Sequence, residues 1–280
     1  MKLCDLHTHS VFSDGTYTPT QLVDAAACAG LSAIALCDHN TVDGLPEFLS
    51  AAGGRAIEAI PGVEFSVDYE GKELHLLALY VKESHFSIIS ERMSDFHKRK
   101  AQSNYDLIYA LNKAGYEINF EEIHKATPNG KFNRAHIAAE LTRKGYVSSI
   151  KEAFSTLLAP EHGYYKEPKR PTVWEMLAFI KSIGAVPVLA HPFLNLKENK
   201  LLTFLPKAKD QGLVGLECYY PLYNDATTQK SLELANRFSL NPSGGSDFHG
   251  SNKPDIALGT GKGNLQIPYE WVIALKNAAE

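Results

Sequence analysis

Lys2-Leu-Cys-Asp-Leu-His-Thr-His-Ser10 is a short apolar run that ends in two histidines separated by a single residue. Side chains alternate along an extended strand with a period of two, so His7 and His9 are expected to point to the same side. Two imidazoles within reach of one ion suit a divalent transition metal. The stretch therefore predicts a strand that presents metal ligands at its C-terminal end.

Six further apolar runs have the character of strands, at residues 32–37, 59–67, 73–81, 185–189, 213–219 and 241–245. The candidate ligands on these runs or just past them are His39, Glu64, His75, His191, Asp247 and His249. Helical patterns separate most of the runs; one of them opens with the capping box Thr18-Pro-Thr-Gln21. This alternation predicts an α/β fold with a parallel barrel, in which functional residues lie at the C-terminal ends of the strands.

His75 departs from this arrangement, because it lies near the start of its apolar run and not at the end. Two explanations remain open at this point. Either this strand runs antiparallel to the others, or the boundary of the run is misplaced.

The segment from about residue 84 to residue 165 changes to helical periodicity, as in the spacing of Phe86, Ile89, Met93 and Phe96. Connections inside compact α/β folds are much shorter than this segment. We therefore expect a metal-binding barrel formed by residues 1–83 and 166–280. Residues 84–165 are expected to form an all-helical insertion that caps the substrate.

The bulk composition limits the class of protein. The chain has 280 residues, of which 44% are apolar and 21% charged, and its net charge is −4. This charge argues against a basic surface for long nucleic acid, but short nucleotides remain possible partners. The four cysteines form no Cys-x-x-Cys pair, and no apolar run reaches the length of a membrane span. We expect buried, reduced thiols in a cytoplasmic protein without a membrane segment.

Histidines dominate the candidate site. A lone histidine near a strand end is more often a hydrogen-bonded structural residue than a ligand, but six of them accompanied by carboxylates favour a site for several metal ions. Glu64 can bridge two ions with its two oxygens, and two ions about 3.5–4 Å apart can hold a hydroxide and polarise a phosphate. Imidazole and carboxylate ligands suit Mn, Fe and Zn alike.

Five motifs connect this chain to a known family. They are Asp5-Leu-His-Thr-His-Ser, Cys37-Asp-His-Asn, Gly62-Val-Glu-Phe-Ser, Ala190-His-Pro and Gly245-Ser-Asp-Phe-His-Gly. Together and in this order, they resemble the polymerase and histidinol phosphatase (PHP) family. The resemblance implies a distorted seven-stranded (β/α) barrel, similar to a TIM barrel, with an inserted helical domain and three divalent metal ions.

The resemblance also implies which residues bind each ion. The first ion would take His7, His9 and Asp247, and Glu64 would bridge it to a second ion held by His75 and His191. The third would take Asp14, His39 and His249, although many members have histidine where this chain has Asp14. Three ions and three carboxylates leave a charge of about +3 if the histidines are neutral, which attracts phosphate.

The helical segment carries a second resemblance, through Phe132-Asn-Arg134-Ala-His136-Ile-Ala, Gly145-Tyr-Val and Gly163-Tyr-Tyr. These stretches resemble the PHP branch that acts on nucleoside 3′,5′-bisphosphates and short oligonucleotides. The resemblance implies that Arg134 holds a substrate phosphate, and a guanidinium fork suits that role. His136 is expected near the substrate.

The function expected from the residues and the resemblance is that of a metal-dependent phosphoesterase, with Glu64, Asp247 and His249 as catalytic residues. The substrate expected first is a nucleoside 3′,5′-bisphosphate that loses its 3′-phosphate, with trimming of short 5′-phosphorylated RNA as a further activity. The general acid stays open between His249 and a metal-bound water. Histidinol phosphate phosphatase is the alternative enzyme, and a non-catalytic metal-binding module is the alternative of another class.

Overall fold

The computed structural model describes residues 2–126 and 133–278. The chain separates into two compact units, which we call the barrel unit and the helical unit. The barrel unit comprises Met1–Ser90 and Arg170–Glu280, and the helical unit comprises Glu91–Lys169. These boundaries lie a few residues C-terminal to those that the change in periodicity predicts.

Seven strands form one mixed sheet in the described part of the chain. They are β1 (Cys4–Thr8), β2 (Ala33–Leu36), β3 (Glu58–Tyr69), β4 (Lys72–Leu79), β5 (Val186–Leu189), β6 (Gly215–Tyr219) and β7 (Asn241–Gly244), and they are paired in sequence order. β4 is antiparallel to both β3 and β5, whereas the other neighbouring strands are parallel. Of the two explanations for His75, the antiparallel strand is therefore confirmed, and the predicted α/β barrel is confirmed with it.

The sheet nearly closes on itself, because the segment after β7 returns to β1. The His9 amide donates to the Phe248 carbonyl at 3.0 Å, and the Asp247 amide donates to the His7 carbonyl at 2.8 Å. Gly245 lies so close to β1 that a Cβ at this position would overlap the His7 side chain and lie 2.6 Å from the His7 nitrogen. Only glycine fits this approach.

Eleven helices accompany the sheet within the described residues. They are α1 (Pro19–Cys28), α2 (Leu45–Ala52), α3 (Phe86–Lys113), α4 (Phe120–Ala126), α5 (Arg134–Arg143), α6 (Ile150–Thr156), α7 (Val173–Ser182), α8 (Pro192–Asn195), α9 (Glu198–Asp210), α10 (Asp225–Arg237) and α11 (Glu270–Asn277). α1 begins at the predicted capping box, in which Thr18 and Gln21 cap each other. Among residues 2–126 and 133–278, no helix combines the length and the apolarity that crossing a bilayer requires.

The helical unit has an apolar core of its own. Helices α3 to α6 contribute buried residues that include Leu107, Leu111, Ile137, Leu141 and Ala153. Their spacing on α3 and α5 is that of amphipathic helices, which explains why this segment shows helical periodicity in the sequence.

A β-bulge decides where the histidines of β1 point. The pairing of β1 with β2 shifts in register between Asp5 and Thr8. Leu6 packs in the same core cluster as Leu77 and Leu79, which share a face of β4 with His75. His7, the sequence neighbour of Leu6, nevertheless reaches the same side as His75. A bulge permits this because its extra residue re-aims the following side chains.

The described cysteines are all unpaired, as predicted. Cys4 in β1 and Cys218 in β6 are buried, as is Cys37 directly after β2, whereas Cys28 at the end of α1 is exposed. The expectation that every thiol is buried is therefore wrong for Cys28, which lies on the outer face of its helix.

Candidate metal centre

The barrel unit brings all nine predicted metal ligands into one cluster. They are His7, His9, Asp14, His39, Glu64, His75, His191, Asp247 and His249. Each comes from a strand, or from the residues just past one, so strand order determines the neighbours in the cluster. The antiparallel direction of β4 brings His75, near the start of that strand, to the place where parallel strands end.

Glu64 is the centre of the cluster, and its carboxylate is fully buried. Its Oε1 lies 2.8 Å from His75 Nδ1 and 3.1 Å from His191 Nε2. Its Oε2 lies 2.9 Å from His39 Nδ1, 3.3 Å from His7 Nε2 and 3.4 Å from His9 Nε2. Each oxygen thus faces its own set of imidazoles, as expected for a carboxylate that bridges two ions.

A second group surrounds Asp14, in the loop after β1. Its Oδ1 lies 3.2 Å from His249 Nε2 and 3.9 Å from His9 Nδ1, and its Oδ2 lies 3.8 Å from His39 Nε2. The ring centroids of His9 and His249 are 4.2 Å apart. Asp14 therefore takes part in the cluster, where its carboxylate stands among three imidazoles.

The backbone is strained at two of the candidate ligands. Asp247 has φ +51° and His191 has φ +28°, a region that non-glycine residues rarely adopt. Such conformations concentrate at functional sites, where the surrounding structure holds a side chain in place at an energetic cost. Here they turn the two side chains towards the cluster directly after their strands.

The polar atoms of the cluster fit divalent ions. Of the nine buried side-chain nitrogen and oxygen atoms without a hydrogen-bond partner in the described residues, seven belong to the cluster. They are His7 Nε2, His9 Nδ1, His9 Nε2, His39 Nδ1, Glu64 Oε2, His75 Nδ1 and His191 Nδ1. Buried polar groups are nearly always satisfied, so a concentration of unsatisfied ones indicates a missing partner. Ligands bonded at about 2.0–2.2 Å to one ion lie about 3.0–3.5 Å apart, close to the separations around Glu64 and Asp14.

The carboxylates of the cluster stay charged. Burial alone would raise the pKa of Glu64, but the His39, His75 and His7 imidazoles hold it well below its ordinary value. Burial would likewise raise the pKa of Asp247 and of Asp14, but neighbouring imidazoles hold both pKa values well below the ordinary range, with a contribution from Lys253 at Asp247. Three permanent negative charges in a buried site require positive partners.

The imidazoles divide into two kinds. Burial disfavours their protonated forms, but Glu64 outweighs it and raises the pKa of His7 well above its ordinary value, raises that of His39, and raises that of His75 to about 10. Burial and the neighbouring imidazoles instead lower the pKa of His9 to about 3. Without metal, the cluster thus balances its carboxylates with protons, a role that cations would take over.

Glu217 on β6 is a part of the site that the ligand pattern missed. Its Oε1 lies 2.9 Å from His7 Nδ1, and its Oε2 accepts from the His191 backbone N–H at 2.6 Å. It therefore orients two candidate ligands through atoms that do not face Glu64, namely the second ring nitrogen of His7 and the backbone N–H of His191. An acid inside the apolar strand Gly215-Leu-Glu-Cys-Tyr219 was the available signal, because a buried carboxylate needs partners.

Two other carboxylates of the motifs brace the loops. Asp38 accepts from the amide and hydroxyl of Ser10 at 2.8 and 2.5 Å, and from the Ser13 hydroxyl at 2.6 Å. Asp5 likewise accepts from the amide and hydroxyl of Ser246, at 2.9 and 2.5 Å. Both acids therefore fix the segments that carry the ligands. Their carboxylate oxygens accept these hydrogen bonds, so they are not counted among the candidate metal ligands.

Arg134 and His136 lie on the first turn of α5 in the helical unit. The Arg134 guanidinium stacks 4.1 Å from the centre of the Tyr165 ring and donates to the Leu158 carbonyl at 3.4 Å. His136 Nδ1 accepts a hydrogen bond from the backbone N–H of Asn133 at 3.1 Å and so completes a capping box. The substrate-binding roles of both residues stay predictions. Phe132, which belongs to the same motif, lies outside the described residues.

Comparisons with known proteins identify the class. Residues 5–184 match the PHP domain family. A 5′-3′ exoribonuclease from Haemophilus influenzae is 31% identical over 89% of this chain and 90% of its own length. A phosphoribosyl 1,2-cyclic phosphate 1,2-diphosphodiesterase from Eggerthella lenta is 29% identical over 88% and 94% of the two chains. A 3′,5′-nucleoside bisphosphate phosphatase from Chromobacterium violaceum is 28% identical over 88% and 86%.

The fold comparison agrees with the sequence comparison. The crystal structure of a candidate metal-dependent phosphoesterase from Bifidobacterium adolescentis matches with a TM-score of 0.85 and 26% identity, over 99% of this chain and 96% of that one. Barrel, cluster and relatives together define a metal-dependent phosphoesterase. The chain belongs to the PHP family, and the expected family and fold class are confirmed.

Proposed function

We propose that this phosphoesterase hydrolyses the 3′-phosphate ester of nucleoside 3′,5′-bisphosphates and also removes nucleotides from the 5′ end of short 5′-phosphorylated oligonucleotides. The observation that carries the proposal is the buried Glu64 carboxylate, surrounded by imidazole nitrogens that have no other partner. The names of the relatives from Haemophilus influenzae and Chromobacterium violaceum support these two substrates.

One bond links the two activities. Both substrates contain a nucleoside with a phosphate on its 5′ side and another on its 3′ side. Water that attacks the 3′ phosphorus and displaces the 3′ oxygen releases inorganic phosphate from a bisphosphate. The same attack on an oligonucleotide releases a 5′-mononucleotide and leaves a shorter chain with a new 5′-phosphate, which is again a substrate.

Three divalent ions of Mn, Fe or Zn are proposed at the cluster. His7, His9 and Asp247 would hold the first, His75 and His191 the second with Glu64 between them, and Asp14, His39 and His249 the third. Bound there, the ions would activate water and neutralise the charge of the transferring phosphoryl group. Glu64, Asp247 and His249 are proposed as catalytic residues, since they would position both the ions and the phosphate.

Arg134 is proposed to hold the phosphate that is not cleaved. Stacking on Tyr165 fixes the plane of the guanidinium, and the bond to the Leu158 carbonyl uses only one of its five N–H donors. A fork fixed in this way loses little freedom when it binds phosphate bidentately. The proposed role requires a substrate with two phosphates, which is why a bisphosphate is favoured over a monophosphate.

The test is phosphate release from adenosine 3′,5′-bisphosphate in Mn²⁺, with AMP, histidinol phosphate and a short 5′-phosphorylated RNA in parallel. We expect preference for the bisphosphate, loss of activity in Asp247→Ala, and an increase of KM in Arg134→Ala. Arg143→Ala is the matched control, because Arg143 lies on the same helix and pairs with Glu140 at 2.7 Å.

Three results would contradict the proposal in different ways. Release only from histidinol phosphate would transfer the function to a histidinol phosphate phosphatase. An unchanged KM in Arg134→Ala would remove the anchoring role. No turnover of any substrate with Mn²⁺, Fe²⁺ or Zn²⁺ would indicate a non-catalytic metal-binding module.

A further inference from the structure

Lys253 lies next to a candidate ligand, although it matches no motif of the sequence. Its Nζ donates to Asp247 Oδ2 at 2.6 Å and lies 3.5 Å from the Asp247 carbonyl oxygen. The Lys253 side chain keeps 39% of its surface exposed, whereas Asp247 keeps 7%. The ammonium therefore stands between the buried carboxylate and the solvent.

The two oxygens of Asp247 have different surroundings. Oδ1 faces the cluster, 3.2 Å from His9 Nε2 and 3.8 Å from His7 Nε2. Oδ2 faces away from it and also accepts from the Tyr220 hydroxyl at 2.9 Å. Since Tyr220 is buried and already fixes the carboxylate, orienting Asp247 does not require a lysine.

The backbone that carries Lys253 is fixed beside the more exposed side of the cluster. The Asn252 amide group donates to the Asp14 carbonyl at 2.8 Å, and the Ser251 N–H donates to the Thr16 hydroxyl at 3.0 Å. The Asp14 side chain is 35% exposed, whereas that of His9 is fully buried. Lys253 is thus held on the side from which a solvent-borne substrate can approach Asp14 and Asp247.

We propose that Lys253 binds the phosphate that is cleaved, through an N–H that Asp247 does not use. This inference rests on the proposed function, because it takes Asp247 as a ligand of the metal centre. An ammonium has three donors, and its compact charge suits a phosphate oxygen. If Asp247 shared its negative charge with divalent ions, it would neutralise less of the positive charge of Lys253. The ammonium would then attract a phosphate dianion more strongly.

The experiment compares Lys253→Gln, Lys253→Arg and the control Lys262→Gln, which removes an exposed lysine of the same C-terminal segment. Two binding constants are measured by calorimetry on each protein. One is the affinity of the metal-free protein for Mn²⁺, and the other is the affinity of the Mn²⁺-loaded protein for inorganic phosphate. We expect Lys253→Gln to weaken phosphate binding about tenfold, which is the contribution of one hydrogen bond to a charged group. The same substitution should change Mn²⁺ affinity less than about twofold. Lys253→Arg should restore most of the phosphate affinity.

Two results would overturn the inference. Unchanged phosphate affinity in Lys253→Gln would show that the ammonium does not touch the anion. A loss of Mn²⁺ affinity as large as the loss of phosphate affinity would show that Lys253 acts only through Asp247. The turnover assay detects a failure of the proposed function, and the phosphate titration detects a failure of this inference. The two are distinguishable, because a protein that cleaves no bisphosphate can still bind phosphate through Lys253.

Discussion

Glu217 Oε1 lies 2.9 Å from Nδ1 of His7, and both side chains are fully buried. The bond fixes the ring so that Nε2 points to Glu64, 3.3 Å away. Because the other Glu217 oxygen accepts from the His191 backbone N–H at 2.6 Å, one carboxylate orients two candidate ligands. Carboxylates that hold metal-ligating histidines in this way fix their orientation and raise their basicity.

Replacing Glu217 with glutamine should therefore weaken metal binding about 10–100-fold. Glu217 uses both oxygens as acceptors, whereas an amide offers only one and turns its NH₂ towards either His7 Nδ1 or the His191 N–H. Calorimetric titration of the metal-free variant with Mn²⁺ measures the change. Glu233→Gln on α10 is the control, because Glu233 is exposed and its contacts are with Lys230 and Gln229 on the surface of the same helix. Equal affinities for the variant and the wild type would show that His7 does not depend on Glu217.

Arg170 forms a second support, through Glu73. Its Nη2 lies 2.7 Å from Glu73 Oε2, and Glu73 Oε1 lies 3.4 Å from His75 Nε2. Arg170→Met should lower the free energy of unfolding of the metal-free protein by about 1–2 kcal/mol, between the values for exposed and buried ion pairs, since Glu73 is 36% exposed. Urea unfolding in EDTA measures this difference.

The difference in unfolding free energy between the wild type and Arg170→Met should also depend on pH. Burial opposes ionisation of Glu73, but His75 and Arg170 lower its pKa from 4.5 to about 2. A carboxylate with a lowered pKa stabilises the folded state above its unfolded pKa and loses this contribution as pH falls towards the folded pKa. The difference between wild type and Arg170→Met should thus be constant from pH 7 to about pH 5 and shrink below it. A difference that grows on acidification would contradict the role of Glu73.

The sequence supports some of these features better than others. Period-two alternation is enough to place His7 and His9 on one side, and the motif order is enough for the barrel. The bulge that puts Leu6 and His7 on the same side depends on the register with β2, a non-local property. The same holds for Glu217, whose partners His7 and His191 are distant in sequence. The roles of Asp5 and Asp38 as braces also come from long-range hydrogen bonds, which local periodicity does not encode.

Metal binding should release protons. The carboxylates raise the pKa of His7 well above its ordinary value and that of His75 to about 10, so the metal-free protein carries protons on both imidazoles at neutral pH, whereas His9 is neutral with a pKa of about 3. An imidazole binds metal only in its neutral form, so ions must displace at least these two protons. Calorimetry at pH 7 in buffers of different ionisation enthalpy counts the protons released per protein. Metal affinity should fall with falling pH, because protons compete for the same nitrogens. Binding without proton release would show that these histidines are neutral or do not ligate.

Gly245→Ala tests whether the contact between the end of β7 and β1 holds the cluster together. The new methyl group would overlap the His7 side chain and backbone, so the two segments must separate, and the Asp247–His7 hydrogen bond of 2.8 Å lengthens. We expect a loss of about 2–3 kcal/mol in the free energy of unfolding, typical of overpacking, together with weaker Mn²⁺ binding. Gly54→Ala is the matched control: Gly54 has φ +75° and open space around it, so only backbone strain of about 1 kcal/mol is expected and no change in metal affinity. A loss in Gly245→Ala no larger than that in Gly54→Ala, with unchanged Mn²⁺ affinity, would show that the close approach of Gly245 to His7 does not hold the cluster together.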